Sequence, residues 1–189
     1  TLHGSSAASD VYKRQGNASS SFLSLSEPED KLLIINSSSK SFNMTGWRVG
    51  WITHPEYLGE HIAKLVQIST TGVPEFIQKG FIEALKNHEF LVEDVMKNLH
   101  VSRDFVYNKM KHWTKLKINK PESAFYFFFK ANDAKDSISF CKKLIKKTQV
   151  GLAPGVAFGK TGDNFLRLCF AADVKFLQYI LNRLEEEFN

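Results

Sequence analysis

Lys40 and Arg48 are the residues whose types and spacing first invite chemistry, in the stretch SSSKSFNMTGWRVGW at residues 37–51. An amine that is to add to an aldehyde must spend time uncharged. It therefore needs a partly desolvated site or neighbouring positive charge to lower its pKa from about 10.4. Lys40 follows the apolar run KLLIIN, which reads as a buried strand delivering the lysine at its end. A phosphate calls for a guanidinium fork surrounded by small hydroxyl donors. Arg48 with Ser37, Ser39 and Ser41 supplies that set, while Gly46 and Gly50 carry no Cβ and would let the backbone turn or approach a ligand closely. Against this stands the plainer reading of one lysine among 25 basic residues as a solvated surface group.

The run SKSFNMTGWRVGW resembles the cofactor-lysine signature of class I/II aminotransferases, pyridoxal-phosphate enzymes of fold type I, in the branch of aspartate-aminotransferase relatives. The match is long and ungapped. The resemblance implies pyridoxal phosphate as cofactor, bound as a Schiff base to Lys40. The same lysine would then carry the proton between the substrate carbon and the cofactor. Arg48 would bind the cofactor phosphate and Ser37 would add a hydroxyl to it. Ser38 departs from the pattern, since relatives usually have an apolar or aromatic residue there. The departure bears on local packing more than on chemistry.

A second arginine, Arg167, stands alone in the apolar strand FLRLCF. A buried guanidinium asks for an anionic partner, and the residues by themselves leave an internal salt bridge with some Asp or Glu as open as a carboxylate ligand. The motifs APGVAFG and NFLRLCFA are similar to the place where these aminotransferases carry the arginine that grips the substrate α-carboxylate, and the resemblance gives Arg167 that role. The loop PGVAFGKTG is Gly-rich, but it is one residue short of the GxxxxGK[ST] phosphate-loop spacing and does not indicate a nucleotide site.

The elements that must hold these residues follow from periodicity. After the lysine region, VGWIT reads as a strand, and residues 54–68 as a turn and a helix with Leu58, Ile62, Leu65 and Val66 inward. Pro74 suits the first turn of a helix reaching about Lys86. A long helix from about Glu89 to Trp113 carries a stripe of Val92, Val95, Leu99, Val106, Met110 and Trp113. SAFYFFFKA reads as a strand apolar on both faces and hence buried. Residues 136–148 read as a helix with Ile138, Cys141, Leu144 and Ile145 inward, followed by a strand VGLAP. Asp173 is a cap for a last helix striped by Leu177, Ile180, Leu181 and Leu184.

Composition bounds the function. A chain of 189 residues with 43% hydrophobic and 13% aromatic residues is globular and can bury roughly 70% of its unfolded surface. The net charge of +5 comes from lysines scattered along helical faces, which does not indicate nucleic-acid binding. Two cysteines and dispersed histidines give no disulfide framework and no metal site. The longest apolar run, residues 124–129, is too short to span a bilayer, and no signal-peptide pattern opens the chain, so a soluble cytoplasmic protein is expected. Residues 1–16 read as an expression or sequencing scar or a disordered tail.

The resemblance, covering residues 17–189, implies an α/β fold that is the C-terminal part of a fold type I enzyme. Residues 17–88 would end the large cofactor-binding domain, 89–113 would form the connecting helix, and 114–189 the small C-terminal domain. The implied activity is transfer of an amino group between an amino acid and a 2-oxo acid, with a homodimer as the full-length form. A β-lyase or decarboxylase on the same fold, or a catalytically incomplete fragment with a structural role, would share these residues. With the rest of the large-domain sheet encoded upstream, the apolar faces of residues 31–53 would lack a partner layer. The substrate side chain is not legible.

Overall fold

A computed structural model describes residues 22–189, which divide into two units between Val95 and Met96. The opening segment read above as a scar or tail lies outside the described residues.

In the first unit, β1 (Ile34–Ser37) and β2 (Gly50–Thr53) form an antiparallel pair running from Ile34 opposite Thr53 to Ser37 opposite Gly50. Between them lie the four-residue helix α1 (Ser38–Ser41) and a 3-10 turn at Thr45–Trp47. Two helices follow, α2 (Gly59–Thr70) and α3 (Glu75–Lys86). Pro74 stands just outside α3 with φ −54°, where its missing N–H costs the helix nothing. Ile77, Phe81 and Ala84, stepping by four and three, bring one face of α3 into a small core with Met44 and Val49, around which Phe42, Val73 and Leu91 also pack.

The expectation that the apolar faces of residues 31–53 lack a partner layer is met, and two readings of burial fail. The strand before Lys40 is not buried: Ile35 is 66% exposed, and its cross-strand partner Ile52 is exposed as well. The reason is that the described sheet has two strands and, among the described residues, no further layer covers that face. Nor does α2 bury any residue: of the expected stripe, Leu65 and Val66 stand in solvent and Leu58 and Ile62 are only half-buried.

The helix α4 (His88–Met110) runs from the first unit into the second and stops three residues short of the expected Trp113, whose N–H donates to the Met110 carbonyl in the turn beyond. The second unit is a four-stranded antiparallel sheet in the order β3 (Leu116–Lys117), β4 (Tyr126–Ala131), β6 (Phe165–Cys169), β5 (Ala153–Pro154). Its buried face presents Phe127, Phe129, Leu166 and Leu168, and the buried stripes of α5 (Ser137–Thr148) and α6 (Val174–Phe188) complete the core with Val106 and Met110. Phe188 is central to it, its ring 5.9 Å from Trp113 and 6.0 Å from both Phe129 and Phe140. Each such side chain contributes about 1.5–3 kcal/mol by leaving water.

Asp173 caps α6 by accepting a hydrogen bond from the Phe176 N–H, and Asp136 caps α5 from the Ser139 N–H. Alternation on β4 leaves Phe128 46% exposed, so this strand is not buried on both faces as its composition suggested. On α5 the inward positions are Ser137, Cys141, Leu144 and Thr148, while Ile138 and Ile145 face solvent. Cys141 and Leu144 are inward as expected, but Ser137 and Thr148 replace Ile138 and Ile145, their hydroxyls finding partners inside. Ser137 donates to Asp163, and Thr148 donates to the Leu144 carbonyl. No helix among the described residues is long and apolar enough to cross a membrane.

Candidate active site

Ser37, Lys40 and Arg48 come together in one clasped loop of the first unit. Ser37 closes β1 in an extended conformation, and its Oγ accepts a hydrogen bond from the Ser39 N–H, which starts the short helix α1. Lys40 therefore sits on this helical turn rather than at the end of the strand, and its side chain is exposed. The desolvation anticipated for it is not supplied by the described residues of this chain. The chain then reverses through Asn43, at φ +53°, and the 3-10 turn to Arg48, also at φ +53°. Asparagine tolerates the left-handed region; for arginine it costs about 1–2 kcal/mol, which the surroundings must offset.

What offsets it is visible at Ser38. This residue is wholly buried, and both its N–H and its Oγ donate to the Val49 carbonyl, at 3.1 and 2.8 Å. The doubled bond fastens the lysine turn to the residue after Arg48. It also accounts for a serine where an apolar residue was expected, since the hydroxyl has a partner inside the core. Beside the clasp, a Cβ on Gly50 would lie closer than 3.0 Å to the Asn36 carbonyl oxygen and 3.4 Å from Ser37 Cα. Gly50 is thus required for strand approach, not for a ligand. Gly46 meets nothing within 4 Å and has no left-handed backbone, so the structure does not need a glycine there. Arg48 is exposed, and its Nη1 donates to the Thr45 carbonyl at 3.0 Å, which leaves the remaining N–H groups of the fork for an anion.

Arg167 belongs to the second unit. It lies on β6, the strand bonded on both sides, opposite Phe128 on β4 and Ala153 on β5. It points to the outer face, half-buried, while Leu166 and Leu168 point into the core. The internal salt bridge is not found: among the described residues no carboxylate pairs with Arg167. Instead the guanidinium lies over two rings, its carbon 4.2 Å from the Tyr126 centroid and 4.1 Å from that of Phe158. Burial pushes the Tyr126 hydroxyl up, and the neighbouring Cys169 adds to this while Arg167 opposes it. Sequence reasoning did not find Tyr126, Phe158, Val49 or Ser38's clasp. Period-two alternation around Arg167 carried a signal for Tyr126, which pairs with Cys169 two residues along.

The profile of "Aminotransferase class I and II" matches residues 3–184. The chain belongs to the class I and II aminotransferases. It is 33% identical over 165 residues to a probable aspartate aminotransferase of Methanocaldococcus jannaschii, covering 84% of this chain and 43% of that protein. It is 30% identical over 185 residues to the LL-diaminopimelate aminotransferase of Natranaerobius thermophilus, covering 98% of this chain and 46% of the relative. The crystal structure of the aspartate aminotransferase of Thermotoga maritima superposes with a TM-score of 0.81 at 31% identity, over 95% of this chain and 46% of that one. The chain thus spans less than half the length of these relatives, and its fold is that of a portion of a fold type I aminotransferase. Pyridoxal phosphate is the cofactor this family membership implies. The residues present fit it: an exposed primary amine, a guanidinium with N–H groups to spare, and the Ser37, Ser39 and Ser41 hydroxyls lie on one clasped loop.

Proposed function

We propose that the full-length protein transfers an amino group between an amino acid and a 2-oxo acid, and that this chain supplies its lysine and two of its anion-binding arginines. Pyridoxal phosphate, when bound, supplies the electron sink for a carbanion at the substrate α-carbon. Lys40 binds the cofactor's aldehyde carbon through its amine and moves the proton at the substrate α-carbon. Arg48 and the Ser37 hydroxyl bind the cofactor phosphate, Arg48 by the fork geometry that suits phosphate oxygens. Arg167 binds the substrate α-carboxylate. The proposal extends to a homodimeric, cytoplasmic full-length protein.

The observation that carries this reading is the clasp from Ser38 to Val49, because it mounts an amine and a guanidinium eight residues apart on one rigid loop. The test is borohydride reduction of the cofactor-loaded full-length protein, followed by peptide mapping. The pyridoxyl label is expected on Lys40, and a label on any other lysine overturns the assignment. Release of ammonia instead of nitrogen retention on the cofactor would replace transfer by elimination.

A further inference from the structure

Arg167 is held in a way that the α-carboxylate role by itself does not require. The guanidinium is a flat plate, and here its carbon lies over two rings, that of Tyr126 from the neighbouring strand and that of Phe158 from the 3-10 turn at Gly155–Phe158. A guanidinium stacked on aromatic faces gains from the negative ring face and keeps its N–H groups at its edge. The Phe158 ring is itself set: Phe128 meets it edge-on at 6.0 Å, and Phe128 stacks on Phe165 at 5.1 Å. The turn that carries Phe158 is tied down where the Val156 N–H donates to Ser137 Oγ, whose hydroxyl donates to Asp163. A Cβ on Gly155 would lie 2.8 Å from the Phe165 Cβ, so the turn also approaches β6 as closely as a glycine allows. No acidic side chain among the described residues competes for the arginine's edge.

We propose that Phe158 and Tyr126 are positioning residues that bracket Arg167, so that it presents only its N–H edge and takes a substrate carboxylate in the plane of the bracket. The inference rests on the reading of Arg167 as the carboxylate-binding residue. A bracketed arginine needs no acidic partner to hold its orientation, and it loses little conformational freedom when the carboxylate arrives. The bracket acts on binding, because the carboxylate keeps its charge throughout the reaction.

The test uses the full-length enzyme with Phe158→Leu, Phe158→Tyr and Arg167→Lys. Phe158→Leu is expected to raise KM for the amino acid by about fivefold to tenfold, with kcat changed less than about twofold. Phe158→Tyr, which keeps the ring face, is expected to stay within about twofold of wild type in both. Phe158→Leu with an unchanged KM, whether or not its melting temperature falls, overturns the bracket. Arg167→Lys with an unchanged KM overturns instead the carboxylate reading on which it rests. Should Phe158→Leu fail to fold, NMR of the wild-type full-length enzyme decides the matter. Arg167 side-chain protons over two rings must resonate upfield of an ordinary arginine, and unshifted signals overturn the proposal.

Discussion

Replacing Gly50 by alanine and, separately, Gly46 by alanine should have opposite effects, although the two positions are four residues apart. At Gly50 the added methyl would lie within 3.0 Å of the Asn36 carbonyl oxygen, a backbone atom held in the β1–β2 ladder that cannot swing aside. Relief requires the two strands to separate where Ser37 faces Gly50, which also strains the Ser38 to Val49 bonds. Overpacking of this kind costs about 1–3 kcal/mol. At Gly46 the methyl meets nothing within 4 Å and the backbone is not left-handed, so alanine should be neutral or stabilise by up to about 1 kcal/mol through the unfolded chain. Amide hydrogen exchange of the peptide covering residues 31–53 reads the local opening free energy directly. Cofactor titration at the visible band should weaken in parallel for Gly50→Ala and remain unchanged for Gly46→Ala. Equal protection in both variants, or cofactor affinity lost in Gly46→Ala alone, would refute the argument that the clasp holds the site.

Three further outcomes are expected. Arg48→Ala in the full-length protein should weaken cofactor binding by about 1.5–3 kcal/mol, with a smaller effect on substrate KM, as measured by equilibrium titration and steady-state kinetics. Phe188→Ala, which empties the centre of the second unit's core, should destabilise that unit by about 3–5 kcal/mol in denaturant melts. Burial alone would raise the Asp104 carboxyl, but hydrogen bonds from Lys120 and Arg103 outweigh it and hold it below its usual 3.8. Its ion pairs therefore contribute stability above pH 3.8 that is lost as pH falls below that value. Asp104→Asn should cost only about 0.5 kcal/mol near pH 7, since the side chain is 45% exposed, and progressively less as pH falls below 3.8.

What the sequence made legible was local. The stripe of α6 and its Asp173 cap could be read because both depend on residues within a turn or two of each other. The family was legible through a run of thirteen consecutive residues around Lys40 and Arg48, whose roles are proposals. The aromatic run on β4 hid its own alternation, because Phe128 facing out looks the same as Phe127 and Phe129 facing in. On α5, apolar Ile138 and Ile145 masked the buried Ser137 and Thr148, whose hydroxyl bonds no periodicity records. Arg167's surroundings lay further off still, since Tyr126 reaches it across strands and Phe158 from a turn.

The place of β6 in the sheet also has a consequence for how the second unit assembles. It is the last strand in the chain, yet it lies between β4 and β5, and Phe128 and Arg167 pair across thirty-nine residues of sequence. Until that long loop closes, β4 has only the two-residue β3 beside it and β5 has no neighbour. The search for this pairing should therefore set the folding rate of the unit. A slip of one residue in the search would turn Arg167 into the core and push Leu166 and Leu168 out, so misregistered encounters are rejected from both sides. The side chain proposed to meet the substrate thus also proofreads the folding of its own sheet.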